Sequence, residues 1–372
     1  MTAGQRPKVG DWLAVLDRLY PTSWAQEWDS TGFQVGDTSW DADRVLVALD
    51  PTAEVIGEAS SRRCGLLITH HPLLFRPLQK LDLGDPVAGA AGAAISSHVA
   101  VAACHTNADV ARPGVSDALA DVLGIDVAGV LHETSAGEQV KLVTFVPPEA
   151  TVKVIDAVAN SGGGVIGEYT HCSFRIRGTG TFFPSERAHP AVGDRGTLNE
   201  VEEDRLEIVV PRERLGAAVE ALVAVHPYEE TAYDVYPLVS AGGAGLGRIG
   251  SLPDPRTGEE LAHLCEERLS SRVRLAGDSS KRVQSIAVCG GSGAPLISDA
   301  LKAGVDAYIT GDVKHHQALD AVSSGLVVID AGHHGTEWPF VPVLAAQLSE
   351  AGAHLGGEVL VSETRTDPFL LP

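Results

Sequence analysis

Three short runs of apolar, largely β-branched residues, at 44–49, 66–69 and 99–103, are each bounded by turn or polar residues. Their length suits buried strands rather than helices. Between them, 53–60 and 86–97 carry helix-compatible sequence. The last part of the chain repeats the order, with apolar runs at 285–289, 307–310 and 326–329 separated by helix-compatible stretches at 294–303 and 313–322. Strand alternating with helix predicts parallel pairing through right-handed crossovers. The corresponding runs also end alike: LLITHH and AYITGDVKHH close the second run of each half, VAACHTNAD and VVIDAGHHGTE the third. Polar residues thus gather just beyond strand C-termini, where open α/β sheets place their ligands. The expected fold is α/β, with two similar halves, 1–137 and 242–372, forming one core.

From 138 to 241 the pattern changes to strand, helix, two strands, helix, strand: KLVTFV, VKVIDAVAN, CSFRIRGTGTF, RLEIVVP, ERLGAAVEALVAV and YDVYPL. That order predicts an inserted ferredoxin-like α+β domain. The glycine-rich string at 240–247 is the expected hinge back to the core, and the HPYEETAYDVYP stretch is expected on an edge of the inserted sheet.

Composition narrows the function. At 372 residues, two or three domains are expected. No uninterrupted apolar stretch approaches the roughly 20 residues that span a bilayer, and the first residues carry no signal-peptide pattern. Five scattered cysteines without a CxxC pair suit reduced thiols and a cytoplasmic protein. The 49 acidic against 28 basic side chains, a formal charge of -21, argue against nucleic-acid binding and leave a small-molecule substrate.

The candidate chemistry lies at the strand ends. Consecutive imidazoles on extended backbone point apart, so His70 and His71, held before Pro72, suit two neighbouring metals better than one. Asp109, just past the third strand, places a carboxylate where it can bridge two cations about 3.5 to 4 Å apart. His333 and Glu337, four residues apart, occupy the matching strand end of the second half, with Thr336 as the expected helix N-cap. His105 is expected to orient a ligand from outside or to move a proton, and His316, at a helix start, to serve as proton donor or substrate contact. Gly290 to Gly293 reads as a tight packing turn rather than a phosphate cradle, lacking the GK[ST] of a P-loop. Three nitrogen and two oxygen donors without sulfur suit two divalent ions, zinc, iron or manganese. Paired cations that generate hydroxide at neutral pH point to hydrolysis.

The strings EWDSTGFQVGD, VLVALDPT, ITHHPLLF, HTNADVARPGVSDALA, CGGSG, YITGDVKHH and DAGHHGTE follow one another over nearly the whole chain. With them the sequence resembles the Nif-three-like family of hexameric proteins with a dinuclear metal centre, some of whose members are named as a type 2 form of GTP cyclohydrolase I. It departs at Ser30 and Thr31, where the family usually shows Asn and Val, and at Ala108, where Leu is usual. The resemblance implies metal ligands at His70, His71, Asp109, His333 and Glu337, the same five that the spacing selects, with Asp29 as an acidic residue near the site. It also implies a ring-shaped homohexamer with the sites facing an internal cavity, and an insert similar to PII or CutA-like domains. Two functions are compatible: a metal-dependent hydrolase using metal-bound hydroxide, GTP cyclohydrolase-like in its substrate, and a ring-shaped binding or adaptor protein whose metals are structural or stored.

Overall fold

The computed structural model describes residues 6–134, 136–167, 169–238 and 244–369. The chain forms two compact units, 1–134 together with 244–372, and 135–243.

In the larger unit, apolar runs bounded by caps become short strands. Thr52 caps helix Ala53–Ser61 by accepting from Val55 N at 3.3 Å, and Asp85 caps helix Pro86–Ser96 ahead of its first-turn proline. The first sheet runs Gly32–Val35, Ala100–Ala103, Leu66–Thr69, Arg44–Ala48, Glu358–Val361, parallel except for the antiparallel Gly32–Val35. The second runs Arg274–Ala276, Val327–Asp330, Ala307–Thr310, Arg282–Val288, Gly245–Thr257, Asp126–Glu133, with its three central strands parallel. In both sheets the parallel strands stand in the order third, second, first, with an antiparallel strand beside the third. The chain is thus a mixed α/β protein with several sheets.

Alternation along the strands feeds two cores. Val45, Val47, Leu66 and Ile68 face Trp12, Phe340 and Leu344, whereas Leu46 and Leu67 face Ile56 and Ala91. Burial on both faces is what parallel strands flanked by helices require. The sheets also exchange strands: Glu358–Val361, late in sequence, edges the first, and Asp126–Glu133 edges the second. Neither half therefore closes its sheet alone.

The second unit has strand order Ser173–Phe182, Asn199–Pro211, Gln139–Val146, Tyr233–Pro237, all antiparallel. Its two helices, Thr151–Asn160 and Leu215–Val225, bury Val154, Val158 and Leu222 against Val140, Leu142 and Ile208. The HPYEETAYDVYP stretch ends in the edge strand Tyr233–Pro237. Of the expected hinge, 240–243 lies outside the described residues. The rest differs from a hinge, since Gly245 and Gly247 begin the strand Gly245–Thr257. A Cβ on Gly245 would come within 2.5 Å of the His132 carbonyl, so glycine here permits close strand pairing. Among the described residues no helix is long and apolar enough to cross a membrane.

Candidate metal centre

Each imidazole of the centre is fixed from behind. His70 and His71 follow directly on strand Leu66–Thr69, and their backbone N–H groups donate to the Ala48 and Leu49 carbonyls, which carries the strand's extended conformation through the pair. Their side chains consequently diverge. His70 Nδ1 donates to the Cys104 carbonyl at 2.9 Å, and His71 Nδ1 to Asp50 at 2.7 Å. His333 Nδ1 donates to Asp312 and His105 Nδ1 to Asp29, both at 2.7 Å. A carbonyl or ionised carboxylate only accepts, so all four rings carry a proton on Nδ1 and leave Nε2 as the atom a cation would take.

Glu337 faces three of these Nε2 atoms, those of His70, His71 and His333. It is buried at the end of the one-turn helix His333–Glu337, where the four-residue spacing sets it beside His333. Its Oε2 lies 3.0 Å from His71 Nε2 and 3.1 Å from His333 Nε2, and its Oε1 lies 3.6 Å from His70 Nε2. Asp109 Oδ1 stands 3.7 Å from His70 Nε2 on the same side. Glu337, rather than Asp109, is therefore the carboxylate that faces both sets of nitrogens. Asp109 sits in the first turn of helix Thr106–Val110, with His70 the imidazole it stands beside.

Two observations test whether the cluster suits a cation. His70 Nε2 is buried with no hydrogen-bond partner, a costly condition for a polar atom unless something else satisfies it, and Glu337 Oε2 is buried against two imidazole nitrogens at 3.0 and 3.1 Å. Donor atoms of His71, His333 and Glu337 lie within 4.8 Å of one another, as do those of His70, His71 and His105. Nitrogen and carboxylate donors converging in this way fit zinc, iron or manganese.

The protonation states are those of a cluster that gathers positive charge. Burial disfavours the imidazolium forms, but Glu337 and Asp50 raise His71 to about 10, and Glu337 with Asp312 raises His333 to about 9. Burial likewise opposes ionisation of Glu337, yet the surrounding imidazoles hold it well below its usual range. Asp109 is pushed up by burial and by Glu337.

Of the expected residues, His105 joins the cluster, its ring 5.2 Å from His70 and 5.7 Å from His71. His316 stands exposed in the first turn of helix His315–Ser323, with its ring 5.3 Å from His315. Thr336 is not an N-cap but lies inside the one-turn helix, where its hydroxyl accepts from Gly291 N at 2.9 Å and donates to the Gly332 carbonyl. The glycine-rich loop packs behind the site: a Cβ on Gly291, whose φ is +62°, would stand 2.1 Å from Glu337 Oε1. With Gly293 N donating to Thr310 Oγ1 at 3.0 Å, the loop spends its amides on the protein itself.

Asp50 and Asp312 escape a reading that looks only for ligands. Both follow parallel strands, Arg44–Ala48 and Ala307–Thr310, just as the ligand residues do, and that position is the signal that marks them. Asp29 acquires a role. Its fully buried carboxylate accepts from His105 Nδ1 and from Thr106 N and Oγ1 at 3.1 and 2.6 Å. Burial pushes its pKa up, but these hydrogen bonds bring it down to about 2.

A family model described as Duf34/NIF3 (NGG1p interacting factor 3) matches residues 7–368. The chain is 40% identical over 371 residues to a Mycobacterium tuberculosis protein named GTP cyclohydrolase 1 type 2 homolog, covering 98% of this chain and 97% of that protein. A Bacillus subtilis protein of the same name is 38% identical over 360 residues, covering 96% of each. A Bacillus cereus protein related to NIF3 has a crystal structure with TM-score 0.77 and 37% identity, covering 99% of this chain and 100% of that one. A Staphylococcus aureus crystal structure has TM-score 0.79 at 28% identity, with both chains fully covered.

Proposed function

This chain belongs to the Duf34/NIF3 family, and on that premise we propose that it is a metal-dependent hydrolase with two divalent cations, zinc, iron or manganese. His70, Asp109 and Glu337 would hold one, and His71, His333 and Glu337 the other. The observation that carries the reading is Glu337, a buried carboxylate whose two oxygens face the Nε2 atoms of three imidazoles, His70, His71 and His333. Bound divalent cations would bring the pKa of coordinated water to about 7 and polarise an electrophile. A closed structural site favours thiolates, and none of the donors here is sulfur.

The chain's own groups supply the proton steps. His105, its tautomer fixed by Asp29, keeps Nε2 available to take a proton or pass one to a leaving nitrogen. His316, exposed in the first turn of its helix, is the second candidate. The relatives' name supports a GTP-like substrate, in which attack by hydroxide at the imidazole carbon between two nitrogens would open the ring.

The unit 135–243 reads as a ferredoxin-like domain of the PII or CutA-like kind, supported by its strand and helix order and all-antiparallel pairing. A homohexamer accords with the exposed apolar side chains Leu81 and Leu83, 61% and 65% accessible in the single chain. Five free cysteines accord with a cytoplasmic location.

The test is elemental analysis of purified protein followed by a turnover screen of nucleotides, phosphate esters and cyclic amides. Turnover abolished by chelator and restored by a transition metal is expected. Undiminished turnover by demetallated protein would overturn the proposal.

A further inference from the structure

Strand Ser173–Phe182 carries two glycines, Gly178 and Gly180, that its backbone does not call for, since neither lies in the left-handed region. Glycine inside a strand marks a place that something else approaches closely. A Cβ on Gly178 would meet no atom within 4 Å, so no packing demands its absence. A Cβ on Gly180 would stand 2.1 Å from Glu203 Oε2, so the Glu203 carboxylate occupies the space of the missing side chain. Gly178 pairs with Glu203 and Ile176 with Arg205, on the sheet face turned away from the helices that cover Leu206 and Ile208.

The loop 183–198 roofs this floor. Gly196 N donates to the Pro184 carbonyl at 3.0 Å, and the Asn199 side chain accepts from Asp194 N and donates to the Asp194 carbonyl, both at 2.8 Å. His189 N, donating to Glu229 at 2.8 Å, pins the loop across the floor. Between the two lies a cavity of about 660 Å³ lined by Phe145, Ile176, Pro184, Pro190, Val192 and Tyr228, all within the unit 135–243. Close-packed interiors leave few voids larger than a water molecule, whereas small-molecule sites measure about 300 to 1,000 Å³. The charge of the cavity is set by one group. Arg177 pairs with Asp204 and Glu202 at 2.7 and 2.5 Å, and Arg205, lying over the Phe145 ring, pairs with Glu207 at 3.0 Å. Both guanidiniums of the lining are thus spent on other carboxylates. Half-buried Glu203 has Tyr228 beside it, whose hydroxyl is pushed up by burial and by that carboxylate.

We propose that this cavity binds a small amphipathic organic cation, an amine whose ammonium pairs with Glu203 and whose apolar body fills the space above Gly178. A carboxylate reaching into an apolar space without a cation of its own favours a ligand that brings one. An anionic ligand would meet Glu203 charge against charge, and a neutral one would forgo the pairing. The proposal is independent of the hydrolase reading.

The test is isothermal titration of the full-length protein at neutral pH with octylamine, octanol and octanoate, chains of one length that end in a cation, a neutral group and an anion. Octylamine is expected to bind about tenfold more tightly than octanol, the difference between a charged and a neutral hydrogen-bonded pair, and octanoate more weakly than either. Glu203→Gln should bring octylamine to about the affinity of octanol and leave octanol unchanged. Gly178→Val, whose side chain enters open space on a strand, should weaken octylamine and octanol together. Glu220→Gln removes the same charge from the exposed side of helix Leu215–Val225 and should change nothing. Octylamine bound no better than octanol by the wild type, or unchanged in Glu203→Gln, would overturn the proposal. So would an equal loss in Glu220→Gln, which reduces the binding to the general attraction of a chain with formal charge -21. Gly178→Val that binds octylamine like the wild type would place the ligand elsewhere, and a changed assembly mass in that variant would make this sheet face a contact between copies; either result contradicts the assignment.

Discussion

The Nε2 atoms of His71 and His333 lie 3.2 Å apart, and both face Oε2 of Glu337. Each ring already donates its Nδ1 proton to a carboxylate, Asp50 or Asp312. Two lone pairs and an anion meeting at one point repel unless a positive charge lies between them. Protons fill that role in the raised pKa values of the two imidazoles, and a divalent cation fills it better.

The first prediction concerns the carboxylates behind the rings. Asp50→Ala or Asp312→Ala removes the acceptor that fixes a tautomer without touching the donor atom aimed inward. Each should weaken metal binding about 10- to 100-fold in a competition titration with a chromogenic chelator. Affinity unchanged in both would mean that the rings are held by packing alone.

The second concerns proton release. Without metal, His71 titrates near 10 and His333 near 9, so at pH 7 both are protonated and must lose a proton to bind. Metal uptake should therefore release protons, and apparent affinity should fall as pH drops from about 9 toward 6. Calorimetry at pH 7 in buffers of different ionisation enthalpy measures the release directly. For the metal-free protein the sign reverses: the stabilisation from these raised values is complete below about 6.5 and fades as pH rises through 9 to 10.

Much of this was legible in the sequence because the strands are short, apolar and buried on both faces, so their ends could be placed within a residue or two. Residues 66–69 and 307–310 coincide with observed strands, and the histidines after them follow from that. The exchange of edge strands was not legible. Glu358–Val361 is half-buried after its exposed first residue and carries no local signal of its partner, and a strand's sheet is set by tertiary contacts that sequence periodicity does not encode. Sequence position likewise offers Asp109 as a bridging carboxylate, whereas Glu337 is the acid that faces three imidazoles. Position along the chain puts both acids at strand ends, but only the fold shows which one faces both sides.

The third prediction concerns Arg248, whose buried guanidinium joins strand Gly245–Thr257 to helix Val115–Leu123 through Asp117 at 2.6 and 2.8 Å. Arg248→Met leaves Asp117 without that partner and should cost about 3 to 5 kcal/mol in chemical denaturation.

The fourth concerns the C-terminal segment. Glu58 accepts from Ser362, Thr364 and the Glu363 amide, and although burial opposes its ionisation these bonds bring it down to about 2. A depressed carboxylate contributes stability above its ordinary pKa of about 4.5 and loses it as pH falls toward 2. Amides 362–364 should accordingly exchange hydrogen faster, relative to intrinsic rates, at pH 3 than at pH 6. Glu58→Ala should abolish the difference.

Whether Glu337 would be shared between two cations is read out by anomalous scattering from crystals of metal-loaded wild type and Glu337→Ala. The account predicts two anomalous peaks in the wild type, one beside His70 and Asp109 and one beside His71 and His333, with both weakened or lost in the variant. A single peak in the wild type, or two peaks unchanged without Glu337, would contradict it.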